Sequence, residues 1–177
     1  GNLLTVKLGA GAFAEVWEAV CDDGRRVALK FLDTRVKGAS LIGPEVRMLR
    51  GLSELRHPNV IHLHAVVACA HYLVLVMERA AGNVRDLLDG NPVPGAARVL
   101  AEVCSALAHM HEAGWIHGDV KPGNVLLMPD GSARLADFGV TTELDGTHGY
   151  VPRMGSSDYL PPEWWSEQVG VDGVALR

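Results

Sequence analysis

The sequence predicts an α+β protein made of two lobes, the first rich in strands and the second helical. Strand-like runs are concentrated before residue 78, whereas the longest helical pattern, 94–112, comes after it. The short stretch 78–82 between them is interpreted as a linker between the lobes. We therefore expect the strand-rich part to end, and the helical part to begin, at this linker.

Composition narrows the class of protein. The chain has 177 residues, of which 48% are hydrophobic and 21% charged, and this suits a globular domain with a sizeable core. A net charge of -5 argues against nucleic acid as the main partner. No apolar run reaches the ~20 residues that a membrane span requires. The three cysteines lack metal-like spacing and are interpreted as reduced thiols of a cytoplasmic protein.

Two glycines stand between the first two predicted strands, which cover 3–8 and 16–20. Gly9 and Gly11 would let backbone N–H groups approach a phosphate closely, because glycine has no Cβ atom in the way. Two glycines in a hairpin are also typical of a plain turn. On these residues alone both interpretations stay open.

The third predicted strand, 27–31, follows a hairpin turn over 22–25 and contains Lys30. A lysine in an apolar strand needs a negative partner, or else it extends its ammonium to water from an edge strand. Glu45, at the start of a helical run over 45–52, is a candidate partner. Its alternative role is to interact with the dipole at the helix start.

The remaining predicted elements are two strands followed by two helices. Strands are predicted over 60–67 and 72–77, a short helix over 83–88 and a long helix over 94–112. No ligand-like spacing links the histidines of this region, which favours surface or capping roles over metal binding. The long helix is predicted to place five apolar side chains in the core: Val99, Leu100, Val103, Leu107 and Met110.

The loop 117–124 carries the strongest chemical signal of the sequence. It holds Asp119, Lys121 and Asn124 among proline and glycine, and Asp137 follows on a second turn. Phosphoryl transfer uses a carboxylate for the attacking hydroxyl, a cation for the phosphate and oxygen ligands for magnesium. The loop is therefore a candidate phosphoryl-transfer site.

Taken in order, these motifs resemble the signature set of protein kinase catalytic domains. The matching segments are Gly9-x-Gly11-x-Phe13-x-x-Val16, Val27-Ala28-Leu29-Lys30, His117 to Asn124, Asp137-Phe138-Gly139 and Pro161-Pro162-Glu163. The resemblance covers essentially the whole chain. It implies a bilobal fold, with an antiparallel-sheet N-lobe over 1–79 that carries one helix and a helical C-lobe over 80–177 that is incomplete here. We therefore expect this chain alone to be inactive.

The resemblance further implies that ATP binds between the lobes with Mg²⁺, and that a protein supplies the acceptor. Lys121 and the segment 155–159 resemble the branch that phosphorylates serine and threonine. In that comparison Asp119 deprotonates the acceptor hydroxyl, Lys121 contacts the γ-phosphate, and Lys30, paired with Glu45, holds the α- and β-phosphates. The implied magnesium ligands are Asn124 and Asp137.

The same resemblance supplies the nucleotide pocket. It implies a pocket made of the glycine loop, residues that contact the two faces of the adenine, and linker residues that hydrogen-bond the edge of the adenine. The implied members are Leu8, Gly9, Gly11, Phe13, Val16, Ala28, Lys30, Met77, Glu78, Ala80 and Leu126. His117 and Phe138 are implied members of an apolar stack that links the lobes.

Departures from the family pattern affect two of these assignments. The stretch from Glu45 to His57 is longer than usual by nearly one helical turn, so Glu54 is the alternative partner of Lys30. Gly118 occupies the position where the family usually has arginine, as in bacterial-type members. In kinases with that arginine, its guanidinium pairs with a phosphate on the activation segment.

Two other functions compete with a serine/threonine protein kinase. Small-molecule phosphotransferases of the aminoglycoside or choline type share the fold and often carry His-Gly-Asp, as 117–119 do here. Lys121, the Phe138–Gly139 turn and the segment 161–163 argue against that family, which lacks them. The other candidate is a nucleotide-binding, non-catalytic pseudokinase scaffold, but every polar catalytic position of the motif set is filled.

Overall fold

The protein is described here from a computed structural model. It describes residues 2–10, 14–37, 51, 54, 56–88, 93, 95–139, 141–143, 150–151, 156–160, 162 and 174–175. Three of the sequence-predicted site residues, Gly11, Phe13 and Glu45, lie outside the described residues, as does the helix predicted over 45–52 except for Gly51.

The described elements follow the predicted order of a strand-rich half and a more helical half. The strands are β1 Asn2–Ala10, β2 Ala14–Cys21, β3 Arg26–Asp33, β4 Leu63–Cys69, β5 Tyr72–Glu78, β6 Gly82–Asn83, β7 Trp115–Ile116, β8 Val125–Leu127, β9 Ala133–Leu135, β10 Thr142–Glu143, β11 Tyr150–Val151 and β12 Val174–Ala175. The helices are α1 Thr34–Lys37, α2 Val84–Leu87 and α3 Ala96–Glu112, with 3₁₀ turns at Pro122–Asn124 and Ser157–Tyr159.

The N-terminal lobe is built on a five-stranded antiparallel sheet in the order β1-β2-β3-β5-β4. This confirms the antiparallel sheet that the family resemblance implied. The predicted turn over 22–25 joins β2 to β3, and Gly24 takes the positive φ of +81° there. Side chains alternate between the two faces of a strand, so Lys30 shares a face with Ala28 and Leu32. Ala28 is also the register partner of Met77 on β5.

The strand predicted over 60–67 begins later, at Leu63, so the prediction was wrong for residues 60–62. Val60 and Ile61 lie beside β9 instead, since the Ile61 N–H donates to Leu135 O at 2.9 Å and the Leu135 N–H donates to Asn59 O at 2.8 Å. Val60 packs in the core of the second lobe. An apolar run predicts an extended backbone, but the identity of the strand it bonds to depends on tertiary structure.

Helix α3 places one stripe of side chains in the second core. Val99, Val103, Ala106 and Met110 are buried there, at helical spacing. The prediction that Leu100 also lies in the core is wrong, because its side chain is 64% exposed. Leu100 follows Val99 by one residue and therefore points about 100° away from the buried stripe.

In the C-terminal lobe, short strands and a capped helix flank the loops. Asn83 caps α2 by accepting the Asp86 N–H at 3.1 Å, so the helix predicted from residue 83 begins at Val84. Strands β6, β8 and β9 form one small sheet, and β7 pairs with β10. The loop 117–121 lies between β7 and the turn before β8, and both of its ends are thereby fixed.

An apolar cluster lies where the linker meets the second lobe. Buried Ile61, Ala80, Met128 and Ala136 form it, and the partly buried residues packed against it are Met77, Leu126 and Phe138. Ala80 belongs to the linker, so the cluster holds the linker against β8 and the end of β9. Across the described residues, no helix combines the length and the hydropathy needed to span a bilayer.

Candidate active site

His117 opens the candidate loop and is almost fully buried, with 1% of its surface exposed. Its Nδ1 accepts the Asp119 N–H at 3.2 Å, and its Nε2 lies 2.9 Å from Ala136 O. The acceptor role of Nδ1 assigns the proton to Nε2, which donates to that carbonyl. Burial lowers the pKa of His117, more than the nearby carbonyl and carboxylates raise it. A neutral imidazole thus ties the loop to the turn that carries Asp137.

The carboxylate of Asp119 is held from three directions. Oδ1 accepts the Ser156 N–H at 2.8 Å, while Oδ2 accepts Lys121 Nζ at 2.7 Å and Asn124 Nδ2 at 3.0 Å. Burial raises the pKa of Asp119, but the hydrogen bonds from Lys121 and Ser156 outweigh it and leave the pKa below its ordinary value. Asp119 is therefore ionised at neutral pH and fixed in orientation.

Lys121 connects this carboxylate to the segment around Ser156. Its Nζ lies 2.7 Å from Asp119 Oδ2 and 2.5 Å from Ser156 Oγ. Ser156 was not among the predicted site residues. A signal for it existed, since it belongs to the segment 155–159 that resembles the acceptor-binding part of serine/threonine kinases.

Asn124 is buried, and its side-chain amide nitrogen donates two hydrogen bonds. Nδ2 donates to the backbone oxygen of Asp119 at 2.8 Å and to its Oδ2 at 3.0 Å. The backbone oxygen of Asn124 accepts the Ala136 N–H at 2.9 Å, next to Asp137. Among the described residues no hydrogen bond is made to the amide oxygen, so this atom can meet a cation, and the backbone bond brings Asn124 beside Asp137.

Asp137 lies on the turn after β9 with a positive φ of 64°, an uncommon conformation that Asp adopts more readily than most residues. Its Oδ1 accepts Lys30 Nζ at 2.6 Å. The Lys30 side chain is 16% exposed and that of Asp137 is 43% exposed. Burial raises the pKa of Asp137, but the Lys30 ammonium and its hydrogen bond more than reverse this and lower the pKa.

The contact between Lys30 and Asp137 was not predicted from the sequence. Glu45 lies outside the described residues, and Glu54 has an exposed position. In the described part of the chain, the ion pair of Lys30 is made with Asp137. The two proposed glutamate partners stay predictions.

The predicted nucleotide pocket divides into described and undescribed parts. Ala28 is buried, whereas Leu8 is 37% exposed on β1. Met77 and Leu126 meet in the cluster at the linker, and Val16 is the register partner of Lys30. At Gly9, a side-chain Cβ atom would have no described atom within 4 Å, so packing within the described part of the chain does not require glycine there.

The linker residues make specific contacts of their own. The Glu78 N–H donates to His62 O at 3.2 Å, and the Ala81 N–H donates to Leu127 O at 2.7 Å. Ala80, between them in the chain, is buried. The linker backbone is thus anchored at Glu78 and at Ala81, the residue after those assigned to the adenine edge.

His117 and Phe138 are in contact as the resemblance implied. Their ring centroids lie 5.5 Å apart at an interplanar angle of 65°. Phe138 also packs against the linker cluster and the core around α3. The stack therefore connects the candidate loop to both neighbouring cores.

Comparison with known proteins identifies the chain's relatives. The family model described as "Protein kinase domain" matches residues 4–173. The rice CBL-interacting protein kinase 4 is 40% identical over 144 residues, which are 75% of this chain and 31% of that protein. The human serine/threonine-protein kinase DCLK3 is 32% identical over 174 residues, or 91% of this chain and 26% of that protein. The chain spans about a quarter to a third of the length of these curated relatives.

Proposed function

The chain belongs to the protein kinase family, and from that premise we propose that it transfers the γ-phosphoryl group of ATP to serine or threonine hydroxyls of proteins. The observation that carries the proposal is the Asp119 carboxylate, held between Lys121, Asn124 and Ser156. Named relatives are serine/threonine-protein kinases, and this supports the acceptor class.

Asp119 is the proposed general base. An ionised carboxylate in a fixed orientation accepts the proton of an acceptor hydroxyl as that oxygen forms its bond to the γ-phosphorus. The bond from the γ-phosphorus to the bridging oxygen breaks, and ADP leaves with the electron pair. Asn124 and Ser156 hold the carboxylate so that little reorganisation is needed during the reaction.

Lys121 and Lys30 are the proposed cations of the site. Lys121 lies beside Asp119 and would contact the transferred group, where charge accumulates. Lys30 would hold the α- and β-phosphates from β3. Because Lys30 now pairs with Asp137, the phosphates would share or replace that carboxylate as its partner.

Asn124 and Asp137 fit a magnesium site by the chemistry of their donors. Mg²⁺ takes oxygen ligands, and it is commonly held by one or two carboxylates together with waters and substrate phosphates. The two residues supply an amide oxygen and an ionised carboxylate, and the Ala136-to-Asn124 backbone bond brings them together. Among described residues no group of three or more His, Cys, Asp or Glu side chains is placed to hold a metal ion, so substrate phosphates would complete the site. When bound, the metal would neutralise phosphate charge.

The adenine is assigned to the cleft between the lobes. Ala28, Met77 and Leu126 supply apolar contacts, and the backbone over 78–80 supplies hydrogen bonds. Lobe boundaries at 1–79 and 80–177 belong to the same proposal.

The three cysteines are unpaired, and this supports a cytoplasmic location.

The decisive experiment uses the full-length protein that carries this chain. Labelled ATP is offered with serine/threonine peptides and with aminoglycosides in parallel, and the Asp119→Asn variant serves as the control for contaminating activity. We expect label on peptide serine or threonine in the wild type only. Label on the small molecule alone would overturn the protein-kinase assignment, and nucleotide binding without any transfer would favour a scaffold.

A further inference from the structure

The carboxylate of Glu18 on β2 is buried, with 6% of the residue exposed, and three donors meet it. Arg79 Nε donates at 2.8 Å, Arg26 Nη1 at 3.1 Å and Thr5 Oγ1 at 3.1 Å. The Arg79 hydrogen bond is the main cause that lowers the pKa of Glu18. Glu18 is therefore an ionised side chain in the sheet, and its shortest contact is to a residue outside the sheet.

Arg79 belongs to the linker and directly follows β5. Its neighbour Glu78 is bound elsewhere, because Glu78 Oε1 accepts the His62 N–H at 2.6 Å and Oε2 pairs with Arg134 of β9. Two adjacent linker residues of opposite charge are thus anchored to different parts of the molecule. Arg79 contacts the N-terminal sheet through Glu18, and Glu78 contacts β9 of the second lobe.

The two arginines on Glu18 differ in exposure. The Arg26 side chain is 68% exposed, whereas that of Arg79 is 27% exposed. Solvent screens an exposed ion pair more strongly, so the Arg79 contact contributes more than the Arg26 contact. Removal of Arg79 would also break a contact between the linker and the N-terminal sheet, whereas removal of Arg26 changes only the sheet.

We propose that Glu18 and Arg79 are positioning residues that hold the linker 78–82 in the conformation that binds the nucleotide. The proposal deepens the function proposed above and rests on it, because the linker backbone is assigned there to the adenine edge. A linker fixed before binding loses less conformational freedom when ATP binds, and affinity is higher for that reason. The proposed base, Asp119, lies on a different loop, so the Glu18–Arg79 pair is expected to act on nucleotide binding rather than on turnover.

The test measures ATP affinity and steady-state kinetics in the full-length protein. For Arg79→Ala we expect Kd and KM for ATP to rise about fivefold, the size expected for one partly exposed ion pair, with kcat changed by less than about twofold. Glu18→Gln should raise Kd and KM for ATP to a similar extent. The double variant should bind ATP no more weakly than either single variant, because both substitutions remove the same contact. Arg79→Lys keeps the charge and should restore most of the affinity.

Two arginines supply matched controls. Arg26→Ala removes another partner of Glu18 without touching the linker, and Arg25→Ala removes an ion pair with Asp23 in the hairpin turn. Both are expected to leave ATP affinity within about twofold of the wild type. An effect of Arg26→Ala as large as that of Arg79→Ala would overturn the proposal, since it would show a general role in sheet stability.

A second readout needs no nucleotide. Hydrogen exchange of the linker amides over 78–82 should be faster in Arg79→Ala and Glu18→Gln than in the wild type and in Arg26→Ala. Unchanged hydrogen exchange together with unchanged ATP affinity would overturn the proposal that Glu18 and Arg79 hold the linker. If the wild type neither binds ATP nor transfers phosphate, the proposed function fails, and the exchange comparison still decides whether Glu18 orders the linker. Should Arg79→Ala not fold, Glu18→Gln and Arg79→Lys carry the same comparison.

Discussion

Lys30 Nζ lies 2.6 Å from Asp137 Oδ1, although the two residues are 107 positions apart in the chain. The contact joins β3 of the N-terminal sheet to the turn that follows β9. Charges of opposite sign stabilise each other at this separation, and the Lys30 ammonium lowers the pKa of Asp137. The site therefore holds a cation and a carboxylate in place before any phosphate arrives.

Replacing Lys30 with methionine removes the cation and leaves Asp137 without that partner. We expect ATP affinity to fall and kcat to fall about 10²-fold or more, because the charge that faces the phosphates is lost. Nucleotide titration and peptide phosphorylation measure the two effects. Arg98→Met, a change on the exposed surface of α3, is the control, and a Lys30→Met enzyme with full activity would remove Lys30 from the mechanism.

Asp119→Asn tests the proposed base. We expect kcat to fall by ~10²–10⁴-fold with little change in ATP affinity, because the carboxylate accepts a proton and is not assigned to the nucleotide. Asp130→Asn supplies a matched control, since Asp130 is exposed in the turn between β8 and β9 and bonds Ser132. An unchanged kcat in Asp119→Asn would rule out this role.

Asp137→Ala tests the proposed metal ligand. We expect the variant to lose the part of its ATP affinity that depends on magnesium, because a carboxylate ligand is gone. Titrations of ATP with and without Mg²⁺ give the dependence, and Asp130→Ala is the control. If magnesium strengthens ATP binding equally in the variant and the wild type, Asp137 does not hold the metal.

The buried histidine gives a prediction for pH. Burial lowers the pKa of His117 in the folded state below the 6.5 of an ordinary histidine. Below pH 6.5 the unfolded chain binds more protons than the folded one, so the free energy of unfolding falls as the pH falls from 6.5 toward the folded-state pKa. Above that window this contribution no longer changes with pH.

Denaturant unfolding at several pH values measures the slope of the free energy of unfolding against pH. We expect His117→Gln to be less stable overall but to show a shallower loss of stability on acidification. His111→Gln, on the exposed end of α3, controls for the loss of a histidine. His57, whose pKa burial also lowers, adds to the slope in every variant. A slope that is the same in His117→Gln and the wild type would contradict the prediction.

Gly118 yields a prediction about regulation. Its φ is +80°, which suits glycine, and it offers no guanidinium to bind a phosphate on the activation segment. Thr141 Oγ1 donates to His117 O at 3.3 Å and is partly buried. We therefore expect activity that does not depend on phosphorylation of the segment 140–159.

Phosphatase treatment of the full-length enzyme, and replacement of Thr141, Thr142 and Thr147 by alanine, test this expectation. Peptide phosphorylation should change by less than about tenfold, which corresponds to ~1.4 kcal/mol of barrier. A larger loss would mean that another cation reads a phosphate on this segment.

Much of the local structure was predictable because it depends on neighbouring residues. Short apolar runs next to turn residues predicted the strands at 27–31 and 72–77, and helical spacing predicted α3. Glycine and aspartate at the hairpin marked the turn before β3. The motif order was sufficient to identify the protein kinase family, which the comparisons confirm.

The sequence placed Asp119, Lys121 and Asn124 in one loop, where short spacing makes their meeting nearly obligatory. It could not show that Ser156 donates to Asp119 or that Lys30 pairs with Asp137, since those contacts join residues far apart in the chain. Local periodicity also left open which apolar stripe of α3 is covered, so Leu100 was wrongly assigned to the core. Tertiary packing, within the second lobe and between the two lobes, decided these features, because hydrogen bonds and burial depend on distances that the order of residues does not specify.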